Sequence, residues 1–221
     1  MRPYERLESA TAAERMHLLG APILADVAAG RFDLDAYVRF LTNAFHHVKH
    51  TVPLMMACGA RLPDRLSWLR APIREYIDEE FGHEQWILDD LAACGIDSRG
   101  IVASEPSHCV ELLVSYVYDF VNRHNPVGFF GMVHVLEGTS TKLATHVARL
   151  VQAKLGLPDG AFRYLRSHGE LDQQHVGFFE KIVDRFEPQD LTAVIHVAKR
   201  TYRLYGDVIR SVRDEGARDA A

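Results

Sequence analysis

Between Ser167 and Phe179 the chain reads Ser-His-Gly-Glu-Leu-Asp-Gln-Gln-His-Val-Gly-Phe-Phe. If this is helix, His168, Asp172 and His175 fall at i, i+4 and i+7 and make one stripe on one face. A rise of about 1.5 Å per residue at ~3.6 residues per turn stacks the three heads within about two turns. Apolar Leu165, Leu171, Phe178 and Phe179 lie in and around that stripe. An unpaired buried carboxylate costs several kcal/mol, so an acid on such a face is paired or is given a cation. The residue types suit a metal ion, and iron is the expectation taken forward.

Two other stretches offer matching groups. Asp78-Glu79-Glu80-Phe81-Gly82-His83-Glu84-Gln85-Trp86 contains Glu80-x-x-His83, an i, i+3 pair, with Glu79 as the reserve acid at i, i+4. Asp78, Glu79 and Glu84 would equally suit an ordinary solvated surface, so the inward glutamate is left open between the two. Glu137 ends the nearly unbroken apolar run from Phe129 to Leu136, a poor place for an acid without a partner. His134, one turn earlier, is placed to support that acid or to wall a cavity. Together Glu80, His83, Glu137, His168, Asp172 and His175 supply three carboxylates and three imidazoles, enough for two ions with bridging carboxylates. Mixed imidazole and carboxylate donors suit Fe, with Mn as the substitute, better than a thiolate-loving ion. Candidate walls of a substrate pocket are His47, His134, Phe130 and Phe179. His46, His47 and His50 cannot all face one ion, because consecutive helical residues point about 100° apart.

Helical periodicity supplies the elements that must position these groups, and no β alternation is found. Helices are expected from about Ser9 to Ala29, from Asp33 or Asp35 to a bend near Pro53, from Arg65 to Ala93 with closure at Cys94-Gly95, and from Pro106 to His124. Three more are expected from Val127 to Leu155, Ala161 to Phe186 and Leu191 to Val212. Residues 214–221 form a charged, small-residue tail expected to fray. Glycines 128, 131 and 138 in one helix cost roughly 1 kcal/mol each against alanine, so close packing or a ligand must ask for them. The chain is expected to be one all-α domain, residues 1–221, of about seven or eight helices.

Composition narrows the function. A formal charge of -5, with no Lys/Arg-rich run, argues against nucleic acid as a partner. No apolar run approaches the ~20 residues of a membrane span, and the N-terminus lacks a signal peptide's apolar core. Cys58, Cys94 and Cys109 are odd in number and form no CxxC pair, which fits reduced thiols and a cytoplasmic location.

The Phe45-His46-His47-Val48 to Thr51-Val52-Pro53-Leu54 segment, Glu79-Glu80-x-x-His83, Leu136-Glu137-Gly138 and His168-x3-Asp172-x2-His175 carry a family resemblance. From about Gly20 to Glu187 the chain resembles the haem-oxygenase-like di-iron oxidases, the iron-containing redox enzymes. Their fold is shared with TenA-type thiaminases and PqqC-type cofactor synthases. The resemblance implies a haem-oxygenase-like bundle with two irons, often labile, on Glu80, His83, Glu137, His168, Asp172 and His175. It also implies O2-dependent oxidative C–C cleavage, decarboxylation or N-oxygenation of a fatty acid, an amino acid or a derivative. A homodimer is in keeping with such folds. The alternative is a metal-independent TenA- or PqqC-like enzyme, or a small-molecule-binding protein of the same fold. A thiaminase of that type should have a cysteine between Gly131 and Glu137, where there is none; a haem oxygenase would need an axial histidine, for which His17 is the sole candidate.

Overall fold

Proline and glycine cut the expected helices into shorter ones. The computed structural model describes residues 1–213, except for the side chains of residues 169–176. The helix α1 (Pro3–Ala10) precedes the first one expected, and the stretch from Ser9 to Ala29 is two helices, α2 (Ala12–Leu19) and α3 (Pro22–Ala28). Pro3 and Pro22 each open a helix, where a missing N–H costs nothing. α4 (Leu34–Val48) begins on Asp33, whose carboxylate accepts the Ala36 N–H at 2.8 Å. The chain turns at Lys49-His50, ahead of Pro53, so that Pro53 falls in the first turn of α5 (Thr51–Ala60) and bends nothing.

The largest departure from expectation lies between 64 and 93. A 3-10 turn (Asp64–Leu69) leads into α6 (Arg70–Glu80), which stops, and α7 (His83–Ala93) starts afresh. Phe81 is extended, with φ -65° and ψ 118°, and Gly82 takes the left-handed φ of 87° that L side chains rarely adopt. Glu80 is therefore the last residue of one helix and His83 the first of the next. Phe81, in the break, is 75% exposed.

The short α8 (Ser98–Ala103) sits in the loop before α9 (His108–Arg123). After a 3-10 turn at Pro126–Gly128 comes α10 (Phe129–Leu155); after another at Asp159–Phe162 come α11 (Arg163–Val183) and α12 (Pro188–Ser211). Among the described residues the molecule is all helix and turn, and no helix is long and apolar enough to cross a membrane. More helical segments result than the seven or eight expected, since turns that periodicity runs through are real breaks.

Two apolar cores form. One gathers α5, α6, α9, the first part of α10, the end of α11 and α12 around Leu54, Tyr76, Val117, Phe130 and Tyr202. The other gathers α4, α7, the second part of α10 and the start of α11 around Leu41, Ile87, Ala148 and Phe162. α10 contributes Phe129 to Val135 to the first and Ala144, Ala148 and Val151 to the second. Its middle, from Leu136 to Leu143, belongs to a cavity instead.

Close packing does explain one of the glycines in α10. A Cβ at Gly131 would lie 2.5 Å from the Val194 carbonyl oxygen and 2.6 Å from the Ala198 nitrogen, so α10 and α12 meet backbone to backbone. Neither backbone can step aside as a flexible side chain would. Gly131→Ala is expected to lower the unfolding free energy by about 1–3 kcal/mol in urea denaturation, the usual cost of overpacking. A variant as stable as the parent would show that the two helices can part.

Candidate metal centre and its cavity

The two inward groups flank the break between α6 and α7. Glu80 at the end of α6 and His83 at the start of α7 put His83 Nδ1 3.0 Å from Glu80 Oε2. His168, from α11, brings Nε2 to 3.9 Å from the same oxygen. Ligand atoms of Glu80, His83 and His168 all lie within 4.8 Å of one another. Glu80 is 7% exposed and His83 3%, so the carboxylate sits in a site where a lone charge would be expensive. Burial works against its ionisation, but the hydrogen bonds to His168 and His83 outweigh it and hold the Glu80 carboxyl down at about 2. The open question between the two glutamates is thereby answered for position: Glu80 points inward, and Glu79 is exposed.

The imidazoles are held from behind. His168 Nδ1 lies 3.1 Å from the Tyr164 carbonyl, which can only accept, so Nδ1 carries a proton and Nε2 is the ring nitrogen turned toward Glu80. His83 stacks on Trp86 with ring centres 3.8 Å apart, and the Arg163 guanidinium covers the other part of that surface at 4.7 Å. Asp90, two turns along α7, accepts the backbone N–H groups of Arg163 and Tyr164 at 2.9 and 3.0 Å. It caps the start of α11 and ties the helix carrying His168 to the helix carrying His83. Burial pushes the Asp90 carboxyl up to about 6, against the pull of those two N–H groups.

Beside the trio lies a cavity of about 160 Å³ between the two cores. Glu80 and His168 form part of its wall, with Ile23, Val27, Phe32, Phe40, Met132, Leu136 and Val147 among the apolar lining. Glu137 lies on the same wall, half-buried, one helix away on α10. Asp172 and His175 fall on α11 beyond His168, and their side chains lie outside the described residues. Three of the six expected ligands are thus brought to one point, and a fourth to the same cavity.

Of the expected pocket walls, His47 lines this cavity, while His134, Phe130 and Phe179 do not. They gather around Phe179 on the flank of α10: the His134 ring lies parallel to Phe179 at 5.9 Å and edge-on to Tyr202, and Phe130 meets Phe179 at 6.4 Å. On α10 Phe130, His134 and Glu137 are spaced i, i+4 and i+7, so Glu137 stands at the edge of the cavity-lining face and the other two on the flank next to it, against α11 and α12. His17 is exposed and lies off the cavity wall. Sequence reasoning missed Asp90 and Tyr205; an acid between Ile87 and Leu91, seven residues from His83, was the available signal for the first.

The comparisons with known proteins come to the following. The family model described as "Iron-containing redox enzyme" matches residues 38–206. No curated protein matches. Among solved structures, the chain is similar to a domain of unknown function with a heme oxygenase-like fold from Shewanella denitrificans OS217, at 21% identity and a TM-score of 0.86, over 100% of this chain and 96% of that one. It is similar to a TenA homologue from P. horikoshii OT3 at 10% identity and a TM-score of 0.77, covering 96% and 98%. It is also similar to the heme oxygenase of Leptospira interrogans at 12% identity and a TM-score of 0.74, covering 95% and 99%. At these identities the likeness is one of fold: all-α and haem-oxygenase-like.

Two outcomes can be measured. Asp90→Ala removes both caps of α11 and should cost about 1–2 kcal/mol of stability in chemical denaturation. His134 gives the pH dependence. Burial, then the Arg15 and Lys142 charges, push its imidazole down to about 3, although Glu8 Oε1 stands 3.6 Å away. A folded value below the unfolded one of about 6.5 means that the unfolded chain takes the proton first, so stability is lost as pH falls through that window. His134→Phe should flatten the fall between pH 6 and pH 4 by about 1.4 kcal/mol per pH unit. An unchanged slope would mean that His134 is protonated in the folded protein.

Proposed function

The chain belongs to the iron-containing redox enzyme family, and from that premise we propose that it is a non-haem iron, O2-dependent oxidoreductase acting on a small organic substrate. One observation carries the reading: Glu80, His83 and His168 converge, buried, on the wall of an apolar cavity. One carboxylate and two imidazoles without a thiolate is the donor set that suits Fe(II) in oxygen-using enzymes, so the residues fit the metal the family implies. The two-ion form adds Glu137, Asp172 and His175. Iron, when bound, supplies the one-electron chemistry by which O2 can react with an organic molecule.

The chain's own residues prepare for that. Glu80 holds a negative charge where a cation would be drawn in. The Tyr164 carbonyl keeps the proton of His168 on Nδ1 and leaves Nε2 to bind. Trp86 restrains the His83 ring by stacking. The apolar walls exclude bulk water and favour a substrate with a sizeable hydrocarbon part, which within the expected classes supports an uncharged fatty-acid derivative over a free amino acid.

A second reading, a metal-independent TenA-like enzyme or binding protein, draws on the same cavity. It lacks a nucleophile: no cysteine lines the cavity among the described residues, and burial pushes the Cys58 thiol up to about 12 while it donates to the Pro126 carbonyl.

Anaerobic titration with Fe(II) tests the proposal. The parent protein should take up near two equivalents, and Glu80→Ala, His168→Ala and His175→Ala should each weaken uptake roughly 10- to 100-fold or more. Iron-loaded protein should then consume O2 with a member of a panel of fatty, amino and aromatic acids. No Fe(II) uptake by the parent, with His175→Ala indistinguishable from it, would sink the oxidase reading and leave the binding protein.

A further inference from the structure

One buried polar side chain on the cavity wall has no use in the centre described above. His47, on α4, is 2% exposed and lines the cavity. Its Nδ1 is fully buried without a hydrogen-bond partner, and no described residue bonds its Nε2. The ring touches the protein edge-on, against Tyr205 at 5.7 Å. The neighbouring histidines differ. His46 bonds Ser104 at 2.9 Å and meets Lys49 at 3.2 Å, and His50 pairs with the Tyr118 hydroxyl at 3.2 Å. His47 also stands outside the group formed by Glu80, His83 and His168.

Leaving a buried imidazole unsatisfied is costly, and a core position would be filled more cheaply by phenylalanine or leucine. Nδ1 is closed off by the protein, so an occupant of the cavity meets the ring at Nε2, and the missing partner of that nitrogen is best supplied by whatever enters the cavity. Its polar character can be read from the wall. Burial, then His168 and His50, push the His47 imidazole down to about 3, so it is neutral. Burial pushes the neighbouring Tyr205 phenol up to about 12, so it too is neutral. No lysine or arginine lines the cavity among the described residues. An anionic group here would therefore be desolvated with no cation to offset it and with the Glu80 carboxylate on the same wall, whereas a hydroxyl or an amide would exchange a bond to water for one to the imidazole.

We propose that His47 is the hydrogen-bonding anchor for a ligand with an apolar body and an uncharged polar group, of the alcohol, phenol or amide class. This goes beyond the oxidoreductase reading and does not depend on it, because the anchor works in metal-free protein.

The test uses the full chain stripped of metal with EDTA and three matched probes: 4-propylphenol, propylbenzene and 4-propylbenzoate. Binding is followed by NMR, including the ring 1H–15N correlations of His47. The phenol should bind about five- to tenfold more tightly than the hydrocarbon, the worth of one net hydrogen bond, and the benzoate no better than the hydrocarbon. In His47→Phe the phenol's advantage should vanish, and in His47→Gln it should be kept in part. The His47 ring signals should shift with the phenol and stay in place with the hydrocarbon. An advantage that survives in His47→Phe, a benzoate bound as tightly as the phenol, or no binding of any probe would overturn the proposal. Should His47→Phe fail to fold, the ring signals of the parent protein decide. Since no iron is present, failure here leaves the Fe(II) result standing, and failure of Fe(II) uptake leaves this one standing.

Discussion

The interaction on which the rest depends is a carboxylate held charged inside the protein. Glu80 is almost wholly removed from water, and a lone charge there would cost several kcal/mol. Two imidazoles, from different helices, meet the same oxygen. Around that requirement the local structure is arranged: α6 ends so that Glu80 turns inward, Gly82 reverses the backbone, and α7 begins with His83 already facing it. Asp90 then binds the first turn of α11 to α7, so that His168 arrives at a set distance instead of on a free helix.

The second constraint is the length of α10. A helix that runs through two cores cannot be fully covered between them, and its middle faces empty space instead. At one end of α10 the contact with α12 is backbone to backbone at Gly131, which leaves no slack for that end to close inward. The cavity is therefore a product of helix packing, and its polar groups, Glu80, Glu137, His168 and His47 among them, are those that helix faces turn toward it. The same packing sets Phe130 and His134 on the flank of α10 beside Glu137, where they complete an aromatic cluster with Phe179.

Much of this was legible from residues alone, where a physical rule ties type to place. Periodicity and caps marked α4, α9, α10, α11 and α12 to within a few residues, and Asp33 does cap α4. The acid and histidine spacings pointed to the three helical stretches that carry the trio and Glu137. Less legible was Phe81-Gly82: a single glycine in a strongly helical run is tolerated in most helices, and nothing local says which one will take a left-handed φ. Pro53 marks the region where α4 stops but not the break itself, since it falls in the first turn of α5, where a proline leaves the helix intact.

What the sequence determined by itself was the helical class, the family likeness and the kinds of ligand atom on offer, because these follow from periodicity and residue chemistry along a short stretch. Only the tertiary structure decided which glutamate turns inward, which of three close histidines reaches the cavity, and which aromatics line it. Those choices depend on the direction of a side chain about a helix axis and on where a helix stops, and a shift of one residue turns a side chain about 100°. Adjacent Glu79 and Glu80, or His46 and His47, are equivalent as letters and opposite as positions.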